Sequence, residues 1–562
     1  MTSLDAQSAR SSAPREAATA DPLAELRAAL AAAAAELRGS PATVELRLDR
    51  PPRPEFGDFS TNAPLQLAAG LDAQPRAVAE RLGELLGRAL GPDLDRAEVA
   101  GPGFLNLFLS DRFWRSALTG VVAAGERFGA DTAAARGPER ILVEFVSANP
   151  TGPITVAAAR HAAYGDSLCR ILAFAGHAVE REYYVNDAGA QIRHFAESVA
   201  ARARGKEPPE DGYRGTYVAE LAARIPGAAD LPLDELATRG VDLMLAGVAA
   251  TLDRFRVRFD RFFSERSLHS EGAIARTLAL LDERGHLYAS EGATWLRTSR
   301  LGDDKDRVLR RSSDELTYFA ADVAYHEEKL RRRPDRAIDV LGADHHGYVA
   351  RMKAAWVALG GEPGALEYLI MQLVNLTEGG RRVQMSKREG EFVTLDELID
   401  DIGVDAARWF LLQRSHDTTL DLDLALAREQ SPENPVYYVQ YAHARIAAIR
   451  RRAGAQRIGA AGAADLSARE TALHPSERAL VRRLLDFPSE VAMCATRRAP
   501  HRLTAYALEL AQGFSAFYRD CRVVGAEEEG GDEAFRLVLC GACQATIARA
   551  LDLLGVEAPE SM

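Results

Sequence analysis

Residues 141–176 combine a buried strand, a turn and a helix, and this order constrains the fold more than any other stretch of the chain. Ile141–Val146 is a short apolar run rich in branched side chains, which predicts a strand of a buried parallel sheet. The Pro/Gly turn at Asn149–Pro153 interrupts any continuous helix. Apolar residues at helical spacing then begin at Ala157 and stop at Gly176. The segment therefore predicts one βα unit of a parallel sheet.

The start of this helix has the composition of an anion-binding site. Three successive alanines, Ala157–Ala159, leave the first backbone N–H groups with little side-chain bulk around them. N–H groups at the positive end of a helix dipole bind phosphates in many nucleotide-binding folds. An ordinary βα connection explains the same residues equally well, so other segments must decide.

Length and composition limit the possible classes of protein. A chain of 562 residues predicts roughly three or four domains. It has no uninterrupted apolar run of about 20 residues, which argues against a membrane span, and its net charge of −12 argues against a globally basic nucleic-acid binder. Five cysteines form no disulfide framework and fit a reducing cytoplasm. Cys540 and Cys543 lie in an apolar helical pattern, which favours core positions over a zinc half-site.

The pattern of predicted elements divides the chain into several parts. Residues 1–21 are a polar, Ala/Ser-rich leader without the hydrophobic core of a secretory signal. Residues 22–112 form a small α/β module. Residues 113–429 alternate short strands with helices, which predicts a doubly wound parallel sheet with a helical insertion at about 195–260. The predicted strands of this sheet are ILVEF, VEREYYV, TWLRT and AIDVLGA. Residues 430–562 are helical, so the fold class is multidomain α/β plus all-α.

A polar turn, Gly342–Tyr348, directly follows one of these strands, at the carboxyl end where α/β sheets bind ligands. A Gly that permits close approach of the backbone, followed by Asp344, suits a ribose hydroxyl and the edge of an adenosine. Asp344, His345 and His346 also allow a metal site. However, adjacent His side chains on a turn point apart, and no third ligand is evident.

A second candidate segment, residues 379–390, contains Gly379, Gly380 and the sequence Met385-Ser386-Lys387. The glycines make this loop mobile, and its Lys can bring a compact charge onto a transferring phosphate. A solvated basic loop is the simpler alternative. Only five of the 69 basic residues are lysines, so the retention of Lys here favours a functional role.

Tyr318 and Asp322 are four residues apart, so on a helix both side chains face the same way. Together with Glu144, they offer two carboxylates and a hydroxyl, which suit a planar guanidinium group. The same spacing also occurs on ordinary helix faces.

These segments, in this order, resemble arginyl-tRNA synthetases, the class I aminoacyl-tRNA ligases specific for arginine. The resemblance spans about residues 22–562 and includes EFGDFSTN (55–62), GPGFLN (101–106) and a long stretch at 419–452. It implies a class I, Rossmann-type catalytic core, an N-terminal α/β domain that binds the tRNA elbow, and a C-terminal helical bundle that binds the anticodon.

The resemblance implies ATP-dependent activation of L-arginine and transfer of the arginyl group to the 3′ end of tRNA(Arg), by a cytoplasmic monomer. Mg²⁺ is expected as the counter-ion of ATP, with no dedicated protein metal site. The implied ATP contacts are Pro153, Ala157, Ala158, Gly342, Asp344, His345, Met385, Ser386 and Lys387. The implied arginine contacts are Glu144, Ser147, Asn149, Tyr318 and Asp322. The implied tRNA contacts, which include aromatic faces for splayed bases, are Phe104, Asn106, Tyr437, Tyr441, His443 and Arg445.

The chain departs from the family in its signature turn. Thr155 and Ala158 stand where the family has the two histidines of its His-x-Gly-His signature, and Gln384 replaces the first lysine of the mobile loop. Thr155 keeps a hydroxyl donor, whereas Ala158 has none. An uncompensated loss of one such donor typically costs about 10²–10³ in rate. His161, one helical turn beyond Ala158, and the adjacent Arg160 are the candidates to compensate.

We interpret the chain as an active ligase whose catalytic residues are Thr155, His161 and Lys387. An intact-looking arginine pocket, the loop lysine and both tRNA-binding modules argue against a decayed enzyme. Two alternatives remain: a catalytically silent paralogue that binds tRNA as a regulator, and a paralogue that activates arginine for a non-translational product.

Overall fold

The computed structural model describes residues 23–40, 46–51, 53–133, 137–383, 386–388 and 391–562. The chain forms two units, one of Met1–Gly129, Ile449–Pro488 and Gly513–Ala545, the other of Ala130–Ala448, Ser489–Gln512 and Thr546–Met562. The helices are α1 (Ala24–Arg38), α2 (Ala63–Leu71), α3 (Pro75–Leu90), α4 (Asp111–Ala124), α5 (Val156–Phe174), α6 (Ala190–Ala203), α7 (Thr216–Arg224), α8 (Leu233–Arg254), α9 (Glu265–Ser270), α10 (Ala273–Glu283), α11 (Tyr318–Arg331), α12 (Val349–Ala358), α13 (Leu395–Leu412), α14 (Leu424–Arg428), α15 (Pro435–Ala463), α16 (Pro475–Leu484), α17 (Phe487–Arg497), α18 (His501–Asp520) and α19 (Glu533–Leu554). The strands are β1 (Phe59–Thr61), β2 (Leu94–Ala100), β3 (Phe104–Leu109), β4 (Arg140–Glu144), β5 (Ala178–Val185), β6 (Arg261–Ser264), β7 (Leu287–Ser290), β8 (Ala293–Leu296), β9 (Arg307–Arg310), β10 (Arg336–Gly342), β11 (Leu366–Met371), β12 (Val374–Glu378), β13 (Arg381–Arg382), β14 (Ser386–Arg388), β15 (Glu391–Phe392) and β16 (Leu420–Asp423).

The first unit is built around an antiparallel sheet of three strands in the order β1-β3-β2. Alternation along β3 places Leu105, Leu107 and Leu109 on one buried face, because successive side chains of a strand point to opposite sides. The amphipathic helix α3 packs on β2 and β3 and also contacts α1 and α2. The predicted N-terminal α/β module is therefore present.

The second unit contains a five-stranded sheet in the order β11-β10-β4-β5-β6, in which every neighbouring pair is parallel. This order confirms the predicted doubly wound sheet. β4 lies at the centre of the sheet, and residues 141–144 are all buried, as expected for an inner strand of a parallel sheet. The strand order reverses between β4 and β10, so a crevice forms at their carboxyl ends, where such folds bind ligands.

The helix that follows β4 begins and packs as its sequence dictates. Thr155 is the N-cap of α5, and its side-chain oxygen accepts a hydrogen bond from the Ala158 N–H at 3.5 Å. Gly165 lets the helix approach the sheet closely, because a Cβ at this position would lie 2.3 Å from the Phe145 ring.

One predicted strand lies elsewhere. The segment TWLRT (294–298) contributes β8 to a separate antiparallel sheet, β7-β8-β9, and not to the central sheet. The two residues that join β7 to β8, Glu291 and Gly292, have positive φ angles of 52° and 77°, the geometry of a tight hairpin turn. A two-residue turn joins only antiparallel strands, because a parallel pair needs a long crossover.

The remaining helices include an insertion and the C-terminal region. Helices α6, α7 and α8 follow β5 and precede β6, and they share an apolar core that includes Phe195, Val218 and Leu236. Among the described residues, α19 is long and apolar enough to cross a membrane by length and composition alone. However, 67% of its most apolar window is buried within the protein, as in the core helix of a globular domain.

Candidate active site

A cavity of about 910 Å³ lies at the carboxyl ends of β4 and β10. This volume is within the range of sites that enclose small-molecule ligands. α5, α11 and the turn after β10 also line the cavity, so three segments that the sequence marked as functional meet in one place. The predicted site residues that line it are Glu144, Ser147, Asn149, Thr155, Ala157, Ala158, His161, Tyr318, Asp322, Gly342, Asp344 and His345.

The turn after β4 holds two residues in left-handed backbone geometry. Val146 has a φ of 69° and Ser147 a φ of 42°, and this conformation is strained for a β-branched residue such as Val. The Ser147 hydroxyl donates a hydrogen bond to Glu144 Oε1 at 3.0 Å. Ser147 Oγ in turn accepts a hydrogen bond from the Tyr184 N–H at 3.1 Å. Ser147 therefore orients Glu144 at the edge of the cavity.

Lys329 lies beside the cavity between two carboxylates. Its Nζ donates hydrogen bonds to Glu144 Oε2 at 2.6 Å and to Asp339 Oδ1 at 2.7 Å, and the side chain is fully buried. Burial alone would lower the pKa of Lys329, but the charges of Asp339 and Glu144 outweigh it and raise that pKa. His326 completes the cluster, with Nε2 3.1 Å from Asp339 Oδ2. The sequence prediction missed this cluster.

The pairing with Lys329 changes the expectation for Glu144. The sequence suggested that Glu144 and Asp322 offer two free carboxylates to a guanidinium group. In the structure both Glu144 oxygens already accept hydrogen bonds, from Ser147 and Lys329. Glu144 still lines the cavity, but it shares its charge with a buried cation. This ion pair joins residues 185 positions apart, which no local pattern reveals.

A second carboxylate near Asp322 comes from Glu265, which the sequence prediction missed. Tyr348 Oη donates a hydrogen bond to Asp322 Oδ2, and burial raises the pKa of Asp322. Burial, followed by the charge of Asp322, raises the pKa of Glu265 to about 7. Desolvated carboxylates of this kind favour a cationic ligand with several N–H donors. Glu265 directly follows β6. Its position at the carboxyl end of a parallel strand is the sequence feature that could have identified it as a site residue.

The N-terminus of α5 also borders the cavity. The Val156 N–H donates a hydrogen bond to the Val393 carbonyl at 3.1 Å, and the Leu395 N–H donates one to the Ile154 carbonyl at 2.7 Å. Two of the helix-terminal donors expected for an anion, the N–H groups of Val156 and Ala158, are therefore already used within the protein. The next residue, Ala157, is exposed and lines the cavity. It remains available as a phosphate contact.

The turn after β10 places an acidic side chain beside the same cavity. A Cβ on Gly342 would lie 2.6 Å from Asp344 Oδ1, so this conformation of Asp344 requires Gly at position 342. Asp344 and His345 are both exposed, with His345 Nε2 3.5 Å from Asp344 Oδ2.

The other predicted ATP contacts lie outside this lining. Pro153 is exposed and is not among the described residues that line the cavity. Met385 lies outside the described residues. Ser386 and Lys387 belong to the short strand β14, and their side chains lie outside the described part of the structure. The predictions for these three loop residues stay predictions.

Arg160 and His161, the two candidates to replace the missing histidines, have different surroundings. Arg160 is fully buried, and its guanidinium donates hydrogen bonds to the carbonyls of Gln372 and Ser415, both at 2.8 Å. Both terminal nitrogens of Arg160 are therefore used in hydrogen bonds within the fold. This argues against Arg160 as the replacement for a signature histidine. His161 lines the cavity. Burial, followed by the charge of Arg160, lowers the pKa of His161 to about 4, so its imidazole is neutral near pH 7.

The predicted tRNA contacts on α15 divide into exposed and buried residues. Tyr437 and Tyr441 stack with ring centroids 6.2 Å apart, and Arg445 Nη2 donates a hydrogen bond to Tyr441 Oη at 2.8 Å. Tyr441 and Arg445 are exposed. His443, in contrast, is buried with Nδ1 2.8 Å from the Pro559 carbonyl. Its burial gives no support to the predicted tRNA contact, which stays a prediction.

The predicted tRNA contacts in the first unit line a smaller cavity of about 280 Å³. Phe104 is 40% exposed, whereas Asn106 is largely buried. Arg50 and Asn62 line the same cavity and add a positive charge and an amide.

Comparison with known proteins agrees with this arrangement. Residues 24–109 match the family model described as the arginyl-tRNA synthetase N-terminal domain, and residues 439–562 match the DALR anticodon binding domain. An arginine–tRNA ligase from Frankia alni (strain DSM 45986 / CECT 9034 / ACN14a) is 46% identical over 533 residues, which cover 93% of this chain and 95% of the relative. The chain belongs to the arginyl-tRNA synthetase family. The arginyl-tRNA synthetase structure from Thermus thermophilus is similar, with a TM-score of 0.75 and 26% identity over 96% of this chain and 99% of that one. The Plasmodium falciparum arginyl-tRNA synthetase, at 16% identity, shares the fold with a TM-score of 0.73 over 96% of this chain and 98% of that one.

Proposed function

We propose that this chain is an arginine–tRNA ligase, which uses ATP to activate L-arginine and then transfers the arginyl group to the 3′ end of tRNA(Arg). The observation that carries the proposal is the cavity at β4 and β10. It combines an acidic region with a helix N-terminus and a Gly-Ala-Asp turn in a member of the synthetase family. These are the surroundings that a guanidinium group and a nucleotide need.

The acidic region of the cavity is the proposed arginine site. Asp322 and Glu265 offer carboxylate oxygens in a desolvated setting, where paired hydrogen bonds to a guanidinium are strong. Tyr318 lies at the start of α11 and is 73% exposed, so it is accessible to a ligand that enters the cavity. Glu144 is the last residue of β4, and Ser147 and Asn149 lie in the turn that follows it; the α-amino and carboxylate groups of the substrate would bind here.

The proposed nucleotide site is formed by α5 and the turn after β10. Ala157 and Ala158 present the N-terminal turn of a helix to the phosphates. Gly342, Asp344 and His345 face the adenosine, and Lys387 approaches from the loop at 379–390. ATP enters with Mg²⁺ as its counter-ion, which phosphate oxygens and water hold.

The proposed reaction has two displacement steps. A carboxylate oxygen of arginine attacks the α-phosphorus of ATP, and the bond from this phosphorus to the bridging oxygen breaks as pyrophosphate leaves. A ribose hydroxyl at the tRNA 3′ end then attacks the arginyl carbonyl and AMP leaves. Positioning and stabilisation of charge supply most of the catalysis in such displacements.

The proposed partner is tRNA(Arg), bound by a monomer in the cytoplasm. On α15 the half-buried Tyr437 stacks on the exposed Tyr441, and the exposed Arg445 adds a cation beside them, within or beside the region that matches the anticodon-binding family. Aromatic rings and guanidinium planes stack on unpaired bases. Phe104 gives the first unit a further exposed ring.

Arginine-dependent exchange of pyrophosphate into ATP, with and without tRNA(Arg), tests the proposal. We expect exchange with arginine but not with citrulline, which has the same shape and no charge on its side chain, and we expect charged tRNA as the product. Tight tRNA binding without exchange would instead identify a silent paralogue. Exchange without any charging of tRNA would identify a paralogue that makes another product.

A further inference from the structure

His161 occupies a position that lets it replace a missing signature histidine. It lies in α5 one turn after Ala158, and both residues line the 910 Å³ cavity. A Cβ on Gly342 would lie 3.9 Å from His161 Cε1, so the imidazole lies close to the turn after β10. The ring is therefore located between the start of α5 and the turn that carries Asp344.

The direction of a helical side chain brings this ring toward the gap at Ala158. Side chains in an α-helix point back toward its N-terminus, so each covers the turn that precedes its own Cα. The turn before His161 carries only methyl groups at Ala157 and Ala158. The side of the imidazole where the family has its second signature histidine therefore carries little side-chain bulk from α5.

The His161 imidazole has no hydrogen-bond partner among the residues that the structure describes. His161 is half-buried and lines the cavity, so an imidazole without a partner at this position is available for a ligand. Because the ring is neutral near pH 7, one nitrogen donates a hydrogen bond and the other accepts one. The charged and titratable groups that act on it are Arg160, Asp344 and His345.

The position of the ring selects one part of ATP. The helix N-terminus favours phosphate, while the carboxylate of Asp344 favours ribose hydroxyls and repels phosphate. A group located between the two faces the phosphate that is joined to the ribose, which is the α-phosphate.

We propose that His161 performs the task that Ala158 cannot, and donates a hydrogen bond from its ring N–H to a non-bridging oxygen of the ATP α-phosphate. This inference rests on the proposed ligase function. During the attack the new bond from the arginine carboxylate to phosphorus forms as the bond to pyrophosphate breaks. Negative charge then grows on the non-bridging oxygens, where the His161 N–H stabilises it. No proton leaves the ring.

Two substitutions of similar size separate a donor from a space-filling residue. We expect His161→Met, which keeps the bulk and loses the donor, to lower kcat of arginine-dependent exchange more than tenfold and to weaken ATP binding. His161→Gln keeps an N–H donor. Its log kcat should lie at least one third of the way from the value of His161→Met back to the wild-type value. His286→Ala is the control, because this histidine lies between α10 and β7, away from the cavity lining.

ATP analogues with sulfur at the α-phosphate locate the contact. If the N–H binds one non-bridging oxygen, one of the two ATPαS diastereomers should slow exchange by the wild-type protein. In His161→Met, the slowing caused by the same diastereomer should be at least fivefold smaller. Equal effects of sulfur in both proteins would place the contact elsewhere and overturn the proposal.

The failure of this inference is distinguishable from failure of the ligase function. If wild-type protein charges tRNA and His161→Met charges it within twofold of wild type, only the role of His161 is refuted. If wild-type protein is inactive, calorimetric titration with Mg·ATP decides instead. An unchanged Kd in His161→Met would then refute the contact, and a Kd raised more than threefold would support it.

Discussion

Lys329 shows how one residue sets the charge of the site. Its compact ammonium fits between Glu144 and Asp339 with donors at 2.6 and 2.7 Å, a geometry that a planar guanidinium does not provide in the same space. This explains the presence of one of only five lysines at a fully buried position in an Arg-rich chain. Because Lys329 partly neutralises its neighbours, we expect the pH dependence of arginine binding at the proposed site to come from Glu265 and Asp322.

Protonation of Glu265 predicts a pH-dependent affinity for arginine. Its pKa of about 7 means that the carboxylate is mostly neutral at pH 6 and mostly charged at pH 8. The KM for arginine should therefore rise about tenfold as the pH falls from 8 to 6, since only the charged form attracts a guanidinium. Glu265→Gln should raise this KM at pH 8 and remove its pH dependence.

Steady-state exchange rates at saturating ATP measure this effect. Glu271→Gln is a matched control, because Glu271 is an exposed carboxylate at the end of the same helix, α9. A wild-type KM that is constant between pH 6 and 8 contradicts the assignment of Glu265 to the arginine site.

At the scale of elements, α5 joins the site to the core. Its first turn is capped by Thr155 and held by the Val393 carbonyl, and its cavity face carries Ala158 and His161. Further along, the Tyr164 hydroxyl donates a hydrogen bond to the Arg498 carbonyl at 2.6 Å. The same helix therefore contributes residues to the cavity lining and is fixed against the rest of the second unit.

Close packing of α5 on β4 predicts that Gly165 tolerates no larger residue. A Cβ at this position would lie 2.3 Å from two atoms of the buried Phe145 ring. We expect Gly165→Ala to lower the free energy of unfolding by about 1–3 kcal/mol through overpacking. Thermal unfolding followed by circular dichroism measures the shift.

Gly247→Ala in α8 is the matched control for this substitution. No atom lies within 4 Å of a Cβ built at Gly247, and both glycines lie inside α-helices. This control should stabilise the protein by about 0.5–1 kcal/mol, because Ala restricts the unfolded chain. Equal shifts for the two variants are incompatible with the predicted contact.

At the scale of the whole second unit, Arg408 connects segments that are distant in sequence. It is fully buried, and it donates hydrogen bonds to Asp166 Oδ2 at 2.6 Å, the Leu554 carbonyl at 2.8 Å and the Phe255 carbonyl at 2.9 Å. These partners belong to α5, to the end of α19 and to the residue after α8. The end of α19 is thereby joined to α5, the helix that lines the cavity.

Loss of this connection should destabilise the second unit. Arg408→Met leaves two carbonyls and part of Asp166 without a donor, so we expect a loss of roughly 3–5 kcal/mol in unfolding free energy. Arg239→Met, which removes an exposed ion pair with Glu235 in α8, should cost about 1 kcal/mol or less. Urea unfolding monitored by tryptophan fluorescence compares the two, and equal midpoints would refute the role of Arg408.

The sequence by itself determined the parallel sheet, the βα turn and the family, because apolar runs, Pro/Gly turns and motif order are local properties of the chain. It also marked Asp322, Asp344 and His161 as residues that line the cavity. Only the tertiary structure placed Lys329 against Glu144, brought Glu265 near Asp322 and turned His443 inward, and only the hairpin turn moved TWLRT out of the central sheet. The first three outcomes depend on contacts between residues far apart in the chain, whereas the hairpin is a local two-residue turn that the sequence analysis did not identify. Burial and pairing with distant charges, which no local pattern records, therefore decided which of the marked side chains are accessible from the cavity.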